Sequence, residues 1–277
     1  MRKRSRVFFR NPTAVTALVI LLAIILFCII YPFFSPFKYS DIIMEDHLQG
    51  PSQKHPLGTD NLGRDLLVRM AVGGQVTLSV AFLSGAIAAV FGTGIGIVCG
   101  YAGGRTDSLL MRAMDAISSI PALLLAIVFD YLLGNGHGYF LFGIAIAGIP
   151  PFARLVRGAA LEISGSTYVE ASRALGARHL QVVRKHVIRN VLPLAAVQAA
   201  TAVADALTTC TVLGYISVSF KPPTPEWGML FDGGAARLRV SPYLAIVPAA
   251  AIVICIVCFY LLGNGIRDSM SIRGGEA

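Results

Sequence analysis

The 277-residue chain is 55% hydrophobic and only 14% charged, with a mean hydropathy of +0.70, which excludes an ordinary soluble domain and places it in a bilayer. Its net charge of +8 bears on which side of the membrane holds the basic residues rather than on nucleic acid.

In chain order, a basic start (Arg2, Lys3, Arg4, Arg6, Arg10) precedes an almost wholly apolar run from Thr13 to Phe34. The run is too long for a signal h-region and lacks a small-residue cleavage site, so a retained first span is expected. Further apolar stretches fall near 76–101, 113–133, 139–156, 194–217 and 243–262. The expected fold is an all-α polytopic membrane protein with a cytoplasmic tail at 1–12, a six-helix domain over 13–262 and a cytoplasmic tail at 263–277. With both termini inside, sixteen of the 23 Lys and Arg residues are cytoplasmic, as the positive-inside rule requires. Gly58, Gly63, Gly73 and Gly74 read as turns. Asp60 and Asp65 read as solvated or paired with Arg64 and Arg69, and Pro222, Pro223 and Pro225 as a stiff external loop around Trp227.

The cytoplasmic loop at about 157–193 carries the densest pattern. Thr167 with Glu170 three residues later fits a capping box, and Gly176 is placed to end a two-turn helix in a left-handed conformation. Leu192 and Pro193 supply a later helix break. On the fifth apolar run, Gln198, Thr201, Asp205, Thr208 and Thr209 fall within an arc of roughly 100° at helical spacing. They form a polar stripe that either packs against another helix or lines a path for solute.

The five cysteines (Cys28, Cys99, Cys210, Cys255, Cys258) all sit in apolar stretches as small buried hydrophobes, with no disulfide expected. The Cys255/Cys258 pair lacks a second pair or a nearby His, and the five histidines do not cluster, so no metal site is expected. None of the five lysines follows a glycine, so no Walker A phosphate loop can be written.

The stretch "EASRALGA" at Glu170–Ala177 resembles the coupling-loop signature of binding-protein-dependent ABC importer permeases. "HPLGTDNLGRDLLVRMAVGG", "GYAGGRTDSLLMRAMDAISSIPALLLAI", "RLVRGAALEI" and "PPTPEWG" are similar to segments of the peptide- and nickel-type members, and specifically of their smaller permease subunit. The resemblance implies a type I importer fold in the bacterial inner membrane. It also implies that the short cytoplasmic helix docks on an ATPase subunit, with Glu170, Ala171, Ser172 and Gly176 as its signature. Ser172 stands where a second Ala is usual, and Ile188 and Arg189 fall where a Leu-Pro pair is usual. Near the end of the fifth span, Cys210 stands where an acidic residue is common, and "GYISVS" replaces a Gly- and Leu-rich run. The implied partners are a second, homologous permease, two ATP-binding cassette ATPases, an external solute-binding protein and membrane lipid, without nucleic acid. ATP and Mg are implied in the partner subunits, with no cofactor on this chain. The implied cargo is a short peptide, with nickel, metallophore or opine-like ligands as alternatives.

Two other classes compete. A self-contained ion-coupled transporter would use intramembrane carboxylates such as Asp130 or Asp205, but the two related halves it usually carries are missing. An intramembrane enzyme would need a paired nucleophile and base or a metal motif, and neither is visible.

Overall fold

The computed structural model describes residues 11–134 and 138–271. The basic residues of 1–10 and His137, weighed above, lie outside the described residues, as does the tail beyond 271. Among the described residues the chain is helical, and five helices plus one bent helix pair are long and apolar enough to cross a membrane.

Helix α1 spans Pro12–Phe34. Asn11 caps it, its Oδ1 accepting from the Thr13 and Ala14 amides at 3.2 and 3.4 Å, and Pro12 occupies the first turn, where no amide donor is needed. Helix α2 spans Leu66–Ala102, with Asp65 as its N-cap accepting from Val68 N at 2.9 Å. It begins ten residues before the apolar run because Arg69 and Gln75 depress the hydropathy of its first turns without breaking them. Arg69 is buried, its guanidinium donating to Tyr39 O at 2.9 Å and lying 3.6 Å from Asp60.

The loop before α2 folds on a buried histidine. His55 Nδ1 lies 2.8 Å from Asp65 and Nε2 lies 3.3 Å from Asp46. Lys54 bonds the same Asp46 and holds its carboxyl below the usual carboxylate range. Asp65 is therefore neither solvated nor paired with Arg64 or Arg69. Asp60 does pair with Arg64, at 2.7 Å. Gly58 and Gly63 are turns with φ of +80° and +70°, but Gly73 and Gly74 lie inside α2 and give room to Trp227.

The expected third span is instead two helices, α3 (Gly104–Ser118) and α4 (Ala122–Leu133), bent by 85°. Pro121 at the break lacks an amide hydrogen and restricts the residue before it, which stops a continuous helix. Helix α5 covers Phe140–Ser164 and packs along α2 through a close seam. A Cβ at Gly92 would stand 2.4 Å from the Phe152 Cβ, at Gly96 2.7 Å from Ala153 O, and at Gly100 2.6 Å from Arg157 O. This small-residue spacing of four brings two backbones together without a hydrophobic driving force from water. Two arginines near the end of α5 tie α3 to it: Arg154 to Asp115 at 2.9 Å and Arg157 to Asp107 by two bonds.

Helix α6 is Thr167–Ala174, and α7 runs from His179 to Tyr215 with a π turn at Val183–Val187. Leu192 and Pro193 do not break it, contrary to expectation; α-helix is continuous from Ile188 through Pro193 to Tyr215. The irregularity lies upstream, in the π turn. Helices α8 (Trp227–Ala235) and α9 (Tyr243–Ser271) complete the fold. Trp227 is no loop residue. It is fully buried, donates its indole N–H to Met70 O at 2.9 Å and rests on Gly73 and Gly74 of α2.

Candidate functional site

Two regions combine the predicted site residues: the cytoplasmic turn around α6 and a cleft between α2, α4, α5 and α7.

Ser166, not Thr167, is the N-cap of α6, and it makes no side-chain cap bond. Its hydroxyl donates back to Ile163 O at 2.6 Å, so the expected capping box between Thr167 and Glu170 does not form. Gly176 does adopt the expected left-handed conformation, with φ of +85°. Val169 is buried and anchors one face of α6, while Glu170 and Ala171 are exposed and Ser172 is half-buried.

Beside them Leu175 and Leu180 are 89% and 78% exposed, in a segment that also carries Glu170, Arg173 and Arg178. A side contact ties this turn to α2. The Tyr101 hydroxyl lies 2.8 Å from His179 Nδ1, and the Arg173 guanidinium sits 5.1 Å above the Tyr101 ring, a cation–π arrangement. Tyr101 is the penultimate residue of the helix whose middle lines the cleft, so α6 is linked through a rigid rod to the membrane interior.

The cleft has a volume of about 130 Å³ and is walled by Ser84 and Ala88 of α2, Pro151 of α5, and Gln198, Asp205 and Thr209 of α7. The polar stripe is therefore split. Thr201 and Thr208 do not line the cleft; their hydroxyls donate to Gln198 O and Ala204 O of their own helix at 2.9 Å. At about 100° per residue they sit roughly 60–80° round α7 from Gln198, beyond the edge of the cleft wall. Asp205 is exposed and accepts the Tyr260 hydroxyl of α9 at 2.7 Å. Asp130, the other acid a coupled transporter would use, is buried away from the cleft. No cluster of three potential metal ligands occurs among the described residues, and the five cysteines are buried and free.

One buried acid was missed. Glu226 is fully buried at the N-cap of α8. It accepts from the Gly228 and Met229 amides at 2.9 and 3.1 Å and from the Thr77 hydroxyl of α2 at 3.0 Å, with the Cys210 thiol of α7 4.0 Å away. Its slot exists because residue 214 is glycine: a Cβ there would meet the carboxylate. The sequence signal was an acid directly before the helix start of "EWGMLF", an N-cap pattern hidden by the prolines ahead of it.

A model of the family described as "binding-protein-dependent transport system inner membrane component" matches residues 92–271. The chain belongs to this family. A second model, described as the N-terminal TM domain of oligopeptide transport permease C, matches residues 2–51. Over 269 residues the permease is 39% identical to the oligopeptide transport system permease protein OppC of Haemophilus influenzae, covering 96% of this chain and 86% of that protein. Over 266 residues it is 34% identical to the glutathione transport system permease protein GsiD of Shigella dysenteriae, with coverage of 96% and 88%. In fold it matches a chain of the MetNI methionine ABC transporter in an inward-facing conformation, with a TM-score of 0.58 and 22% identity, covering 71% of this chain and 94% of that one. The helical fold of the described residues is thus the type I ABC importer permease fold, and the chain is a permease subunit of an ABC importer in the inner membrane.

Proposed function

We propose that this permease is the smaller of two membrane subunits of a short-peptide importer, that α6 docks on an ATPase subunit through Glu170, Ala171, Ser172 and Gly176, and that the cleft with Gln198, Asp205 and Thr209 forms part of the solute path. In the proposed complex a homologous permease, two ATPase subunits and an external solute-binding protein complete the importer, and ATP and Mg act in the ATPases. This chain then binds no cofactor and hydrolyses nothing.

The observation that carries the docking is the exposure of Leu175 and Leu180. In a span such residues face lipid, but these follow the C-terminal end of a short charged helix outside the apolar runs, where exposed apolar side chains mark a protein contact. The link from Arg173 and His179 to Tyr101 supports a role in passing motion onward, because a packed helix end moves as a unit. Copurification from the native membrane tests this: ATPase subunits should accompany the permease, and their absence overturns the reading.

Peptide is favoured as cargo by the oligopeptide and glutathione names of the two relatives, with a nickel or metallophore ligand as the alternative within the same family. The molecule found in the pocket of the cognate binding protein decides between them.

The charge distribution supports a cytoplasmic position for both termini. Single cysteines check this orientation: an impermeant thiol reagent on intact cells should label a cysteine at Thr224 and spare one at Arg178, and the reverse pattern inverts the topology.

A further inference from the structure

The cleft carries one carboxylate, and its surroundings define what that carboxylate can bind. Asp205 lies on α7, ten residues before the helix ends at Tyr215 and well inside the apolar part of the span. An ionisable group at such depth costs roughly 2.5–3.5 kcal/mol on insertion scales and is kept where it meets protein, water or a ligand. One oxygen, Oδ1, is held by the Tyr260 hydroxyl at 2.7 Å. The phenol fixes the orientation of the carboxyl group and leaves its second oxygen free to accept. The second oxygen has no protein partner among the described residues, and no Lys, Arg or His lines the cleft. Among the described residues, no basic side chain of the cleft lining pairs with the carboxyl group.

Two turns before it on the same face, about 10 Å along the axis at 1.5 Å per residue, Gln198 also lines the cleft, and its side-chain amide makes no hydrogen bond among the described residues. A carboxamide both donates and accepts, the complement of a peptide bond.

We propose that Asp205, positioned by Tyr260, is a station for the free ammonium group of the passing substrate, with Gln198 pairing with an amide further along the same molecule. The recognised chemistry is a primary ammonium followed a few residues on by an amide, as in a short peptide. The carboxylate offsets the cost of drawing that ammonium out of water, and the charge-assisted bond forms only while the substrate is in transit. The inference rests on the peptide-importer reading.

The test uses the complete importer in proteoliposomes with saturating, peptide-loaded binding protein. Asp205→Asn keeps the shape and the Tyr260 bond but removes the charge. Its maximal uptake rate should fall roughly tenfold, on the order of one charge-assisted hydrogen bond, while subunit assembly, basal ATP hydrolysis and the half-saturating concentration of binding protein stay unchanged. Asp205→Glu should restore most of the rate, which a packing role would not predict. An N-acetylated form of the same peptide, used at concentrations that load the binding protein equally, should pass through wild type and Asp205→Asn at the same low rate. Wild-type uptake by Asp205→Asn overturns the inference, as does an equal fractional loss for both peptides. Separation of the two permease subunits in Asp205→Asn overturns it too, since the carboxylate would then pair with the partner. Failure of the wild-type importer to take up any peptide instead removes the peptide reading on which it stands.

Discussion

In the complete importer, Glu170→Arg should abolish uptake while leaving the permease inserted and folded. Glu170 lies in the first turn of α6 and is exposed, so its carboxylate complements the helix dipole and makes no buried contact within the chain. Reversing the charge costs α6 on the order of 1 kcal/mol, too little to unfold a helix anchored by the buried Val169. In the proposed docking mode the same change places a cation in an interface that also holds Leu175 and Leu180. Breaking a charged contact there costs 2–5 kcal/mol or more, about 30-fold or greater in affinity. The mutant should reach the membrane at the wild-type level, lose its ATPase partners on purification and transport nothing. Leu175→Ser should weaken the same association without touching the isolated chain, whose Leu175 is almost fully exposed. Normal uptake by Glu170→Arg rules out α6 as the coupling element.

How far the sequence reveals such features depends on the distance over which they are encoded. The spans at α1, α5, α7 and α9 were legible because uninterrupted apolar runs carry their own signal, and Gly176 was legible because a left-handed residue after a short helix favours glycine. The α3–α4 bend was not: α3 carries Arg105, Asp107, Arg112 and Asp115, so a hydropathy window merges its end with α4 across Pro121. The Thr167–Glu170 capping pattern failed because the helix starts one residue earlier and the Ser166 hydroxyl turns back to Ile163 instead. The wall that α7 gives to the cleft also covers an arc of about 100°, from Asp205 to Ala206, but it is rotated away from the threonine side of the stripe. Thr201 and Thr208 therefore share a helix face with Asp205 but not the cleft. The cleft itself needs four helices in place, information no single segment holds.

Glu226 shows the same dependence, and its replacement should have the largest effect on stability. The carboxylate joins three elements: it caps α8, accepts from Thr77 on α2 and fills the slot left by Gly214 on α7. Thr77 in turn accepts from the Trp227 amide at 3.1 Å, so the acid also fixes the entry of the buried Trp227. In Glu226→Ala the Gly228 and Met229 amides and the Thr77 hydroxyl lose their acceptor inside the protein. Each buried donor left unpaired costs about 1–3 kcal/mol, and the cavity adds to this. The summed loss approaches the whole stability of an ordinary domain, so little folded permease should survive detergent extraction. Glu226→Gln keeps the shape and one acceptor oxygen but turns an NH₂ group toward donors, so it should fold with a lowered midpoint of thermal unfolding. Gly214→Ala probes the slot from the opposite side, because a methyl there overlaps the carboxylate, and overpacking of this kind costs about 1–3 kcal/mol. Thermal unfolding of the three variants in detergent should rank them Glu226→Gln above Glu226→Ala, with Gly214→Ala destabilised alongside. If Glu226→Ala instead unfolds at the wild-type temperature, α8 is held by Trp227 packing alone and the acid is not its anchor.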